Sequence, residues 1–228
     1  MGRFFAEQAF SHRPFEVAPA TTQLLLVRHG ATIRGPGEQA EPVAFDGSDP
    51  DLNELGRRQA EAVCRQLTRE RPAAIFVTGL RRTEQTAAPL ATRTGIAPRV
   101  VRDLREVELG AWDGAGLRTR LASEDPLALQ VLRDERWDAI PGAEPLDGFA
   151  DRVRRGIALV SESIDFEQTA VAFVHGGVIG EVCRQATASR GFAFIHAENG
   201  SITRLIVDAD DHWTVRSFNE TGHLGAAG

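Results

Sequence analysis

Four stretches of this sequence bring together residue types that handle anions. Arg28, His29 and Gly30 follow the apolar run Leu24 to Val27, and the segment TGLRRTEQTA at 78–87 places Arg81 and Arg82 where a strand gives way to a helix. The segment LREVELGAWDG at 104–114 carries Glu106 and Glu108 beside Gly110. VAFVHGG at 171–177 is a second apolar run that ends on a histidine, His175, followed by Gly176 and Gly177. A neutral imidazole can act as nucleophile, and a carboxyl group can give or take a proton. A guanidinium can donate two parallel hydrogen bonds to an oxyanion, and glycine lets backbone N–H groups approach one closely. Each piece alone has a plain alternative, a histidine satisfied by nearby backbone at the edge of a core. Two strands that both end on histidine, with arginines and a carboxylate between them, instead suggest one shared pocket at the carboxyl edge of a sheet.

Composition narrows the chemistry. All 26 basic residues are arginine, and the chain has neither lysine nor tyrosine. Schiff-base lysines and the lysine of a nucleotide-binding P-loop are therefore excluded, leaving arginine as the permanent cation for an anionic substrate. With 32 acidic residues the net charge is −6, which argues against a nucleic-acid partner. His12, His196, His212 and His223 form no i, i+4 pair and no Cys/His cluster, so no metal is expected. Cys64 and Cys183 are far apart without a CxxC spacing, which reads as free buried thiols in a reducing cytoplasm. The first twenty residues carry Arg3, Glu7, His12 and Arg13 in place of an apolar run, and no segment approaches the roughly 18 to 20 apolar residues of a membrane helix. The expectation is an N-terminal tail at 1–20, a domain at 21–228, a cytoplasmic location and no membrane partner.

The elements that must position these residues alternate. Strands are predicted at 23–27, 74–77, 99–102, 170–174, 201–207 and 214–218, and helices at 53–70 with Asn53 as cap, 80–94, 117–133, 146–164 and 178–188. This order predicts a single α/β domain with a mostly parallel sheet of about six strands and helices on both faces. The segment 31–51, rich in Gly, Pro and acidic residues, is long for a connection and reads as either a functional loop or a disordered one.

From Leu24 to Leu224 the chain resembles the histidine phosphatase superfamily, the fold shared by phosphoglycerate mutases and many small-molecule phosphatases. The family's RHG falls on Arg28, His29 and Gly30, its L-x-R-x-x-Q-T-A arginine on Arg82, its acid before G-x-W on Glu106, and its second histidine on His175. LNELGRRQA and the closing NETGHL belong to the same pattern. The resemblance implies a metal-independent and cofactor-free phosphomonoester hydrolase that works through a phosphohistidine. His29 would be the nucleophile, Glu106 the general acid and base, and Arg28, Arg82 and a protonated His175 the grip on phosphate. Thr32 and the Gly176 N–H would add donors. Arg81 reads as a surface charge, and Glu108 or Asp113 could carry the proton instead of Glu106. Trp112 is either pocket wall or core. Where the family often has Glu or Gln, then Ser or Thr, then Asn, this chain has Ala31, Thr32 and Gly35; Arg34 reads as a surface charge, or as a replacement for the missing donor if the loop folds inward. The family leaves two alternatives, mutase-type transfer and a catalytically silent binder. The region after Gly114 lacks the mutases' adjacent arginine pair, although it holds Arg118 and Arg120, and so favours hydrolysis. The expected partner is a small phosphorylated substrate, and a homodimer is possible.

Overall fold

A computed structural model describes residues 18–33, 49–112 and 120–227. Most of the expected tail, Arg34 and Gly35 in the long loop, and Asp113 and Arg118 lie outside the described residues.

Six strands form one sheet: β1 (Thr21–Arg28), β2 (Ala74–Val77), β3 (Arg99–Val100), β4 (Thr169–Val174), β5 (Ile202–Asp208) and β6 (Trp213–Glu220). Their spatial order is β3-β2-β4-β1-β5-β6. The first four run parallel, and β5 and β6 complete one side antiparallel. Among the described residues the longer helices are α1 (Glu54–Leu67), α2 (Arg81–Thr94), α3 (Pro126–Asp134), α4 (Leu146–Glu162) and α5 (Gly176–Thr187).

β1 is buried on both faces, and its alternation sorts the core. Leu24 and Leu26 pack with Phe76, Val153, Ile157, Val178 and Val182 under α4 and α5. Leu25 and Val27 pack with Val63, Leu67, Ile75, Leu90 and Phe173 under α1 and α2. Helices thus cover both faces, and the expected α/β architecture holds. Cys64 and Cys183 are free and buried within α1 and α5. Asn53 caps α1 as expected, its side chain accepting from the Gly56 N–H at 2.8 Å.

Two expected elements change. The strand expected at 99–102 shortens to Arg99 and Val100 beside β2, with one further bond from Val101 N–H to the Val77 carbonyl at 2.8 Å, and a 3-10 turn at Arg102–Leu104 then buries Leu104 and turns the chain toward Glu106. The helix expected at 117–133 is interrupted: the backbone is helical at 120–122, turns at Glu124 with φ +55°, and restarts as α3. Pro126 explains the break, since it lacks an N–H and disfavours helical backbone in the residue before it. Asp125 caps the restart, accepting from Leu127 N–H at 2.9 Å and Ala128 N–H at 3.3 Å.

Candidate active site

The register of the sheet builds the site. β1 and β4 pair so that Arg28 lies opposite Val174, which sets His29 and His175 side by side one residue beyond the two strand ends. The His29 N–H bonds the Val174 carbonyl at 3.0 Å, and the two imidazoles meet edge to face with ring centres 5.3 Å apart.

The backbone around His29 is fixed on every side. Gly30 N–H donates to Thr86 Oγ1 at 3.0 Å, Ala31 N–H to Gln59 Oε1 at 2.8 Å, and Asn199 Nδ2 donates to the His29 carbonyl at 2.8 Å. Glycine is required where this turn crosses α1: a Cβ on Gly30 would lie 2.6 Å from the Gly56 carbonyl oxygen, and one on Gly56 would lie 2.0 Å from that of Ala31. His29 Nδ1 sits 2.9 Å from the Gly30 carbonyl, which can only accept, so the ring proton belongs on Nδ1 and Nε2 keeps its lone pair. Burial, then the nearby charges of Arg82 and Arg28, push the His29 pKa down to about 3 and keep the ring neutral.

His175 is fully buried. Thr83 Oγ1 gives its hydrogen to the Leu80 carbonyl at 2.7 Å, so it accepts from the Thr78 hydroxyl at 3.2 Å. Thr78 Oγ1 in turn accepts from His175 Nε2 at 3.0 Å. That order leaves Nδ1 as the basic nitrogen, and it has no hydrogen-bond partner among the described residues. Burial first, then His29, Arg82 and Arg28, hold the His175 pKa well below the ordinary histidine value. The expectation of a protonated His175 concerned the phosphate-bound site; without phosphate, burial beside two guanidinium groups favours the neutral ring.

Arg28 Nη1 donates to the Ala197 carbonyl at 2.5 Å, and the guanidinium lies against Gly176, where a Cβ would stand 3.4 Å from Arg28 Nε. Arg82 enters from the first turn of α2, where its side chain is 13% exposed. Burial lowers its pKa from the usual arginine value, while Asp49 and Glu106 oppose that shift. Asp49 bonds Arg82 Nη1 at 3.0 Å and also accepts from the Arg81 N–H. Arg81 itself points outward, 60% exposed and paired with Asp51, as expected of a surface charge.

Glu106 reaches the site from the segment after the 3-10 turn. Its Oε1 accepts from Val107 N–H at 3.0 Å and its Oε2 from Gly177 N–H at 3.1 Å. Glu108 is exposed. Thr32 is held by a bridge to Leu52, and its carbonyl accepts from Asn53 Nδ2 at 2.9 Å. Gly176 opens α5 directly after His175. Trp112 belongs to a satellite core with Ala128, Val131, Ile140 and Phe192, and the Arg120 guanidinium stacks 4.9 Å from its ring centre. His223 bonds the Gly200 carbonyl at 2.9 Å, while His196 is exposed. His212 pairs with Asp208 in the turn between β5 and β6.

The sequence reading missed the supports. Thr78, Thr86, Gln59, Asn199 and Asp49 fix the reactive groups without resembling a reactive group themselves. Gln85 and Thr86 served only as spacing for Arg82, yet Thr86 holds Gly30, and Gln85 bonds both Leu52 and Asp51.

A mostly parallel α/β domain that brings two histidines and two arginines together at its strand ends and the start of a helix is the class this fold and site define. Residues 24–221 match the sequence profile of the histidine phosphatase superfamily (branch 1), and the chain belongs to that superfamily. It is 28% identical over 218 residues to a metal-independent phosphoserine phosphatase of Arabidopsis thaliana, covering 93% of this chain and 87% of the relative. It is 31% identical over 212 residues to phosphoglycerate mutase-like protein 4 of the same plant, covering 90% and 88%. The solved structure of a mycobacterial glucosyl-3-phosphoglycerate phosphatase superposes with a TM-score of 0.72 at 27% identity, covering 88% of this chain and all of that one. The chain is thus a histidine phosphatase, a hydrolase of phosphomonoesters.

Proposed function

We propose that the protein hydrolyses a small phosphorylated metabolite through a phosphohistidine on His29. The observation that carries this reading is the His29 tautomer: Nδ1–H is held by the Gly30 carbonyl at 2.9 Å, which leaves the Nε2 lone pair for phosphorus. In the first half-reaction Nε2 attacks in line and the bond from phosphorus to the ester oxygen breaks. Glu106 delivers a proton to that oxygen, so the alcohol leaves neutral. In the second half-reaction Glu106, now a carboxylate, takes a proton from water as the water oxygen attacks phosphorus. The P–N bond breaks and neutral His29 returns. One difficult displacement becomes two easier ones.

Arg28 and Arg82 stabilise charge on the equatorial oxygens, with Thr32 and the Gly176 N–H as further donors. His175 starts neutral and takes a proton on Nδ1 from an arriving phosphate monoanion. It then donates to the oxygens with both ring nitrogens engaged, and returns the proton to the departing inorganic phosphate. The relatives' names, a phosphoserine and a glucosyl-3-phosphoglycerate phosphatase, support a small phosphomonoester as substrate. Asp49 on Arg82, with Asp51 close by on Arg81, disfavours polyphosphates by repulsion.

The test is phosphate release from an aryl phosphate and a panel of metabolite monophosphates under excess chelator, with wild type and His29→Ala side by side. Release by the wild type alone, with an acid-labile phosphoryl group trapped on His29, is the expected result. Equal release by the variant overturns the mechanism. Turnover that requires an added bisphosphate primer favours mutase-type transfer.

A further inference from the structure

Arg152 lies on α4, outside every motif that marks the reactive groups, and its guanidinium uses all five of its N–H donors. Nε and Nη2 bond the two Glu144 carboxylate oxygens at 2.6 and 2.7 Å. Nη1 donates to the Asp103 and Arg105 carbonyls at 2.9 and 2.6 Å, and Nη2 also donates to the Glu106 carbonyl at 2.9 Å. The pair is shielded, with side chains 14% and 15% exposed, and the guanidinium lies over the Phe149 ring at 4.7 Å. Glu144 grips the same loop from the other side: its N–H donates to the Glu108 carbonyl at 2.8 Å.

The segment 105–109 belongs to neither sheet nor helix, so no ladder satisfies its carbonyls. Arg152 supplies the donors that a neighbouring strand supplies elsewhere. We propose that Arg152, oriented by Glu144, is a positioning residue that sets the Glu106 carboxyl group for proton transfer to the leaving oxygen. The inference rests on Glu106 as the proton carrier. Its physical content is geometric, because a displacement of about 1 Å in a reacting group can cost on the order of a hundredfold in rate. Lysine cannot replace this side chain: a single ammonium cannot span three carbonyls and a carboxylate at once.

The experiment compares an alkyl phosphate with an aryl phosphate whose leaving group needs no proton. Arg152→Lys, Glu144→Gln, Glu106→Gln and the double variant Glu106→Gln/Arg152→Lys are measured with the wild type, and thermal unfolding reports folding. Expected is a loss in kcat of about ten- to a hundredfold on the alkyl ester for Arg152→Lys, with less than about threefold on the aryl ester. Glu144→Gln should show the same selectivity at smaller size. In the Glu106→Gln background the lysine substitution should cost less than about twofold, since two groups that act as one unit do not add. A merely structural role predicts equal losses on both esters and additive costs, and either result overturns the proposal. If Arg152→Lys does not fold, the selectivity of Glu144→Gln decides. Should Glu106→Gln itself slow both esters alike, the proton-carrier reading fails and the proposal with it. Selectivity in Glu106→Gln without selectivity in the Arg152 and Glu144 variants overturns the positioning role alone.

Discussion

His29 stands one residue past a strand buried from Thr22 to Val27, while Glu106 stands in a stretch with no regular structure. The histidine is placed chiefly by main chain: the β1 and β4 register and a close crossing of Gly30 over Gly56, with the Thr86 and Gln59 side chains accepting from the two N–H groups that follow it. The carboxylate is placed by side chains and single N–H groups: Arg152 and Glu144 behind it, Val107 and Gly177 in front. The two mechanistic duties differ in the same way. A nucleophile must meet phosphorus along one line, and a rigid sheet edge provides that. A proton carrier must serve two oxygens in turn, the leaving oxygen and that of water, and a loop held by a few bonds allows a small adjustment between them.

The contrast is broken or sharpened first by removing each group. His29→Ala should lower kcat about ten-thousandfold or more on every ester, because no other neutral nucleophile occupies that line. Glu106→Gln should lower it about a hundred- to a thousandfold on alkyl phosphates and less than about tenfold on an aryl phosphate. Comparable losses for the two variants on the aryl ester would mean that Glu106 does more than move a proton.

Glycine substitutions separate the two kinds of support next. A Cβ on Gly56 would press on the Ala31 carbonyl oxygen and nitrogen at 2.0 and 2.8 Å, and backbone cannot step aside. Gly56→Ala should therefore cost about 3 kcal/mol of stability and most of the activity, read by urea unfolding and turnover. A Cβ on Gly177 would lie 2.5 Å from Glu106 Oε1, the far end of a flexible side chain. Gly177→Ala should leave unfolding within about 1 kcal/mol of wild type and slow alkyl esters about tenfold, because the carboxylate moves aside while Val107 Cγ1, 3.2 Å from that Cβ, has only a small shift to make. A large stability loss at Gly177 would show that this loop is as rigid as the strand edge.

The same contrast explains what could be read from the sequence. The strand-end groups were legible because burial on both faces forces near-continuous apolar runs, and a histidine that ends such a run stands out. The sheet order was not legible. Nothing local in LLLVRHG or VAFVHGG says that those two strands are neighbours, and the pairing of Arg28 with Val174 is a property of the whole fold. Arg152 and Glu144 were illegible for a related reason. A charged residue on a helix or in a turn carries no local mark of burial, and only the three-dimensional path of 103–108 brings carbonyls to these two. The interruption at Pro126 was present in the sequence as a proline after an aspartate, but the apolar spacing across it continued at helical period. The neutrality of His175 was hidden because its cause, complete burial beside Arg28 and Arg82, is tertiary.

That neutrality has a measurable consequence for the sheet edge. In the native protein His29 gains its proton only near pH 3, whereas in the unfolded chain it does so near 6.5. Between those values the unfolded chain binds a proton that the native chain does not, so acid favours unfolding. The stability contributed by holding His29 neutral is fully present above about pH 6.5 and is lost progressively as pH falls toward about 3. The loss is roughly 1.4 kcal/mol per pH unit in that window, or about 2 kcal/mol between pH 7 and pH 5. Urea unfolding at these two pH values should show His29→Ala losing about 2 kcal/mol less than wild type. Comparing slopes removes the constant cost of the truncated side chain. His175, displaced in the same direction chiefly by burial, adds a parallel loss, of which the part caused by His29 goes with that side chain in the variant and adds to the difference. An unchanged slope in His29→Ala would mean that His29 accepts its proton in the folded state at mild pH. The strand edge would then be open enough to solvate a charge, and the rigidity that separates it from the Glu106 loop would not be what keeps the nucleophile neutral.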